Sequence, residues 1–350
     1  MNPALDHRRP SLDPRDSVGV LTRRIGDLTL AAAWRLLHAG DRGPYVVAFE
    51  DRLDRRYYTA DDGWSAPILR LSPGASGPPV LLAHGLGGSW RDWILAPETG
   101  LARRLVAAGH DVWLLAHRGD RDAVAPPDPR PFSVDDIATR DLPAALDLVR
   151  ALTGYDQVVL LGHGFGAQLA CAHLALGDIG AVSALVALGG AVELRPAASE
   201  LRTAALVATL LPSGWVLPSR RLAQVSTPLV RSGDDLASPD TLGAVARARM
   251  RHGGDLYGGV VRQVARWIAA GRLTDATGNV ELLPCLPQIP AFVAAADADP
   301  ACPPDAAAPL ARQLGCPLHV IAGGHLDPIA GRTTPEAIER VLLPFLASVG

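Results

Sequence analysis

The chain has 350 residues, 48% of them hydrophobic, with 33 basic against 36 acidic side chains and a net charge of −3. That balance excludes a disordered chain, and the length is ample for a buried core. All basic residues are arginines, scattered with no stripe interleaved with aromatics, so no nucleic-acid partner is expected.

The N-terminus carries Asp6, Arg8, Arg9, Asp13, Arg15 and Asp16 before any apolar run, which does not read as a signal peptide. The apolar patch at 28–37 contains Arg35 and is too short to cross a bilayer. A cytoplasmic chain without stable membrane insertion is the expectation. Residues 1–45 read as an extension with an amphipathic helix that ends near Gly40.

From Tyr57 the pattern is strand, turn, strand, with Asp62-Gly63 as the hairpin signal. The run at 66–71 alternates weakly, as an edge strand does. Strands and helices then alternate. Strands are expected at 80–83, 112–116, 157–161 and 181–188. Helical spacing appears at Leu101, Leu105 and Val106, at Leu142, Leu146, Val149 and Leu152, and over 168–174. Strands apolar on both faces, alternating with helices, imply an α/β fold: a mostly parallel central sheet with helices on both faces.

The alternation breaks at 196–284, where only helical patterns appear, and resumes with strands at 289–294 and 317–321. The last helix is expected to start with Thr334 as N-cap and Pro335 at N1. The chain therefore divides into a core, 46–195 with 285–350, and a helical cap, 196–284, over the edge where open α/β sheets bind ligands.

Leu161-Gly162-His163-Gly164-Phe165-Gly166-Ala167 sits between a strand and a helix, the context of a nucleophile elbow. The nucleophile position is Gly164, which has neither oxygen nor sulfur. His84-Gly85-Leu86-Gly87-Gly88 follows an earlier strand, and its glycines let a substrate approach the backbone. Gly85, Gly87 and Gly88 are candidate substrate contacts, and the N–H groups of Leu86 and Phe165 are candidate oxyanion donors. Asp299 and His325 each follow a late strand, in the order an acid and a base take in this architecture. Asp297 is the alternate acid.

Gly162 to Ala167 also satisfies the G-x-G-x-x-A dinucleotide fingerprint. That reading needs an acidic residue at the end of the next strand, and Glu193 is too distant. No cofactor and no metal are expected. Cys171, Cys285, Cys302 and Cys316 show no metal or disulfide spacing and read as packing residues.

The segments 58–64, 84–89, 109–114, 141–144 and 324–327 resemble the α/β-hydrolase superfamily, in particular its lipase-like branch of acid lipases and relatives of polyhydroxyalkanoate synthases. The resemblance implies ester hydrolysis, with Asp299 as acid and His325 as base. Its departure is Gly164, where the family carries Ser or Cys. Acyl-enzyme hydrolysis is therefore expected to be absent or very weak. Three readings follow: a non-covalent Asp299/His325 acid–base enzyme, a pseudoenzyme that binds an apolar or ester-like small molecule, or a Ser-to-Gly variant of a working esterase.

Overall fold

The computed structural model describes residues 53–194 except 73 and 97, residues 206–218, and residues 252–349. The amphipathic helix expected within 1–45 lies outside the described residues, as do 196–205 and 219–251 of the segment expected to form the cap.

In chain order the strands are β1 (Asp54–Thr59), β2 (Ser65–Arg70), β3 (Pro79–Ala83), β4 (Asp111–Leu115), β5 (Val158–His163), β6 (Val182–Leu188), β7 (Val216–Leu217), β8 (Leu256–Tyr257), β9 (Ala291–Ala296) and β10 (Leu318–Ile321). Eight of them form one sheet in the order β1-β2-β4-β3-β5-β6-β9-β10. The pairs β1/β2 and β2/β4 are antiparallel and the others are parallel.

All residues of β3, β4 and β5 are buried, which explains why their sequences are apolar without alternation. The main helices are α1 (Leu101–Ala107), α2 (Leu142–Thr153), α3 (Phe165–Leu176), α4 (Gly258–Ala270), α5 (Pro304–Gln313) and α6 (Thr334–Val349). Gly154 closes α2 in the left-handed region at φ 77°, the conformation a helix C-terminus favours in glycine.

Two expectations are corrected. The run read as an edge strand is β2, which lies between β1 and β4 with its four central residues buried; the edge is β1. Its weak alternation reflects cover on both faces. Nor is the segment before residue 284 purely helical, since β7 and β8 pair antiparallel through Val216–Tyr257 and Leu217–Leu256. Strands of two residues are too short to leave a period in the sequence.

The helix read around Val260, Val264 and Trp267 is α4. It is moored to the core by Gln263, whose Oε1 accepts from the Val134 N–H at 2.9 Å. Its Nε2 donates to Asp135 at 2.6 Å and to the Thr274 carbonyl at 3.0 Å. No described helix is long and apolar enough to cross a membrane.

Candidate active site

The chain reverses between β5 and α3 within one residue. Gly164 makes the turn at φ 55° and ψ −118°, a conformation that strains any residue with a Cβ. The turn also requires small neighbours. A Cβ on Gly166 would land on the Ala83 carbonyl, and one on Gly162 would land on the backbone of Gly166 and Ala167. Glycines there let the turn close against the end of β3.

A Cβ built on Gly164 would lie 3.1 Å from Cε1 and 3.2 Å from Nε2 of His325. Among the described residues no hydroxyl or thiol lies within 4 Å of that point.

His325 follows β10, and its Nδ1 donates to Asp299 Oδ2 at 2.8 Å. The carboxylate thus fixes the tautomer and leaves the Nε2 lone pair on the side of residue 164. Asp299 Oδ1 accepts from the N–H groups of Ala301 and Cys302 at 2.8 and 2.9 Å. Burial alone would raise the Asp299 pKa. The hydrogen bond and charge of His325, with those two N–H groups, outweigh it and hold the carboxyl below its usual range.

Asp297, the alternate acid, is exposed and accepts from the Gly323 N–H at 3.0 Å, so it holds the loop before His325 rather than the ring. Cys302 offers no replacement nucleophile. Burial, then the charges of Asp299 and Asp305, push its thiol far up. Cys285 is exposed, so the packing reading fails for it, whereas Cys171 and Cys302 are buried.

No role for His163 was legible in the sequence. It is buried, its Nε2 donates to the His325 carbonyl at 2.8 Å, and the two rings lie 4.7 Å apart. It holds the backbone of His325 in place beside residue 164. A histidine inside an apolar strand carries no periodic signal that would reveal this.

Beside the elbow opens a narrow pocket. Leu86, Gly87, Gly88 and Phe165 line it together with Leu256, Tyr257 and Val260. Gly85 is not on its wall; its carbonyl accepts from the Gly88 N–H at 3.0 Å and from His84 Nδ1 at 3.0 Å. Phe165 is the first residue of α3, so its N–H has no acceptor within the helix. Among the described residues no group of three His, Cys, Asp or Glu is placed to hold a metal.

His117 and Asp120 also line the pocket, and neither stood out in the sequence. Burial pushes the Asp120 carboxyl up to about 6, partly offset by His117 and by the Asp122 N–H. With the unfolded value near 4, the folded chain keeps an extra proton between about pH 4 and 6. Charging Asp120 therefore costs stability as pH rises through 6. Asp120→Asn should gain stability relative to the unsubstituted protein at pH 8, and the gain should shrink at pH 4. Chemical denaturation at the two pH values checks this.

Comparison with known proteins agrees with this geometry. Residues 80–340 match the alpha/beta hydrolase family. Lipase member K of Homo sapiens is 34% identical over a stretch that covers 32% of each chain. Gastric triacylglycerol lipase of Homo sapiens is 35% identical over 31% of each. The chain thus matches about a third of the length of these curated relatives. Among solved structures, a thermophilic esterase from Thermogutta terrifontis superposes with a TM-score of 0.58 at 21% identity. The superposition covers 85% of this chain and 99% of the esterase. An esterase from Exiguobacterium antarcticum gives 0.59 at 17% identity, over 83% of this chain and 98% of that one.

Proposed function

Since the chain belongs to the alpha/beta hydrolase family, we propose that it is an esterase-like protein that binds a small ester and forms no acyl-enzyme. The observation that carries this is the elbow: residue 164 sits at φ 55° facing the imidazole of His325, and it is glycine. His325 bonded to Asp299 beside the tight turn suits a base and its acid, and residue 164 offers no atom that could be acylated.

What the remaining groups support is direct attack by water. His325 Nε2 takes a proton from a water molecule over Gly164 as its oxygen bonds to the ester carbonyl carbon. The carbonyl oxygen becomes an oxyanion, held by the N–H groups of Phe165 and Leu86. When the intermediate collapses, the bond to the leaving alkoxide breaks and the imidazolium returns the proton to it. Asp299 holds the ring and stabilises its charged form throughout. The 2.8 Å His325–Asp299 bond favours this reading over a purely binding one, because a site that only binds has no use for an oriented base.

Without the nucleophile the expected rate is low. Loss of a triad serine costs on the order of a million-fold, while the other groups leave roughly a thousand-fold over water. Hydrolysis of p-nitrophenyl butyrate should therefore be slow, show no initial burst, and fall to background in His325→Ala. A burst, or activity unchanged in His325→Ala, contradicts direct water attack.

A further inference from the structure

The acid, the base and residue 164 come from three different strands. Asp299 follows β9, His325 follows β10 and Gly164 follows β5, and β6 lies between β5 and β9 in the sheet. To meet residue 164, the His325–Asp299 pair must reach across the end of β6. Gly189, the first residue past β6, lets it pass. It stands at φ 58°, and a Cβ there would lie 3.3 Å from Asp299 Oδ2 and 3.8 Å from His325 Nδ1.

The loop that carries the base is tied down on its own side. The Gly323 N–H donates to Asp297 Oδ1 at 3.0 Å, and the Gly323 carbonyl accepts from the Ala298 N–H at 3.0 Å. The Gly324 N–H donates to Asp327 Oδ2 at 2.5 Å, and Asp299 holds the ring. These bonds run to residues that follow β9 and β10, so they fix the shape of the loop and not its distance from β5. Among the described residues, only His163 ties this loop to β5 by a hydrogen bond, from its Nε2 to the His325 carbonyl at 2.8 Å. A carbonyl only accepts, so His163 carries its proton on Nε2. His163 is the last residue of β5, directly before Gly164, so its bond spans the same gap as the chemistry. The ring is buried, and the buried Trp93 packs against it nearly at right angles, with 6.3 Å between centres. A side chain packed this way cannot shift without its neighbours.

We propose that His163 is a positioning residue that sets the reach of His325. It draws the base loop across the end of β6 and holds the imidazole beside residue 164. The proposal rests on the ester-hydrolysis reading above, because that distance matters only if His325 acts on a molecule held there. Displacing a reacting group by about 1 Å costs up to roughly a hundredfold in rate.

The test replaces His163 by Phe, which keeps a ring and loses the donor, and by Gln, which keeps a side-chain N–H. On p-nitrophenyl butyrate, His163→Phe should lower kcat about ten- to a hundredfold and leave KM within about twofold, and His163→Gln should recover most of the loss. A second readout does not depend on activity. The unsubstituted protein and His163→Gln should show a nuclear Overhauser contact between the Gly164 α-protons and His325 Hε1. His163→Phe should lose that contact and keep the His325 Nδ1 proton that Asp299 binds. If either variant fails to fold, the ¹⁵N shifts of His163 in the unsubstituted protein decide: a proton on Nε2 supports the proposal, and a proton on Nδ1 overturns it. A contact or a kcat unchanged in His163→Phe, or a loss that His163→Gln does not recover, overturns this proposal alone. If the unsubstituted protein shows no hydrolysis that depends on His325, the ester-hydrolysis reading falls and this proposal falls with it.

Discussion

Gly164→Ser should hydrolyse short-chain aryl esters at least about a thousand-fold faster than the unsubstituted protein, with an initial burst. The serine Cβ would arrive 3.1–3.2 Å from the His325 ring, so the ring must give by a few tenths of an ångström. It then faces a base whose other nitrogen is already oriented by Asp299 at 2.8 Å. The gain should disappear in the Gly164→Ser, His325→Ala double variant. The same change should lower stability by about 1–3 kcal/mol, because φ 55° suits glycine and strains serine. Stopped-flow assays and urea denaturation measure the two effects. A serine that folds normally and gains nothing would mean the surrounding groups do not form a working site.

Arg118→Ala should destabilise the protein by about 3–5 kcal/mol. The Arg118 side chain is 1% exposed, and its Nε and Nη2 donate to Asp141 Oδ1 at 2.8 and 2.7 Å. Its other contacts run to Asp62, at 2.6 and 3.0 Å. One guanidinium thus ties the β1–β2 turn to the helical segment that precedes α2. Burial pushes the Asp141 carboxyl up and the arginine's bonds and charge oppose that, so removal of the arginine leaves a buried carboxyl without its counterion. Replacing both partners, Arg118→Met with Asp141→Leu, should cost less than the single change, since no buried charge is then stranded. Denaturation curves of the three proteins check the order. A single variant as stable as the double would show that the ion pair does not tie these segments together.

The centre of the sheet was legible because β3, β4 and β5 are buried on both faces and read as unbroken apolar runs between helical spacings. β3, β5 and β6 fall within a residue or two of their expected positions. The elbow was legible because its sharp turn needs small residues at 162 and 166, a steric demand written directly into the chain. Asp299 and His325 were legible through order alone, while the choice between Asp297 and Asp299 needed the loop geometry. His163, His117 and Asp120 were not legible. Each lies inside or just after a strand, where a single polar residue has no period, and its role depends on partners 162 residues away in one case and on a cavity wall in the others. The short β7–β8 pair left no trace for the same reason of length.

The most direct measurement is the intact mass of the protein after exposure to a fluorophosphonate, which phosphonylates an activated serine at an elbow of this kind. The unsubstituted protein should keep its mass, while Gly164→Ser should gain a single adduct. An adduct on the unsubstituted protein that is lost in His325→Ala would contradict the account, because it would place a working nucleophile where the structure has only a hydrogen atom.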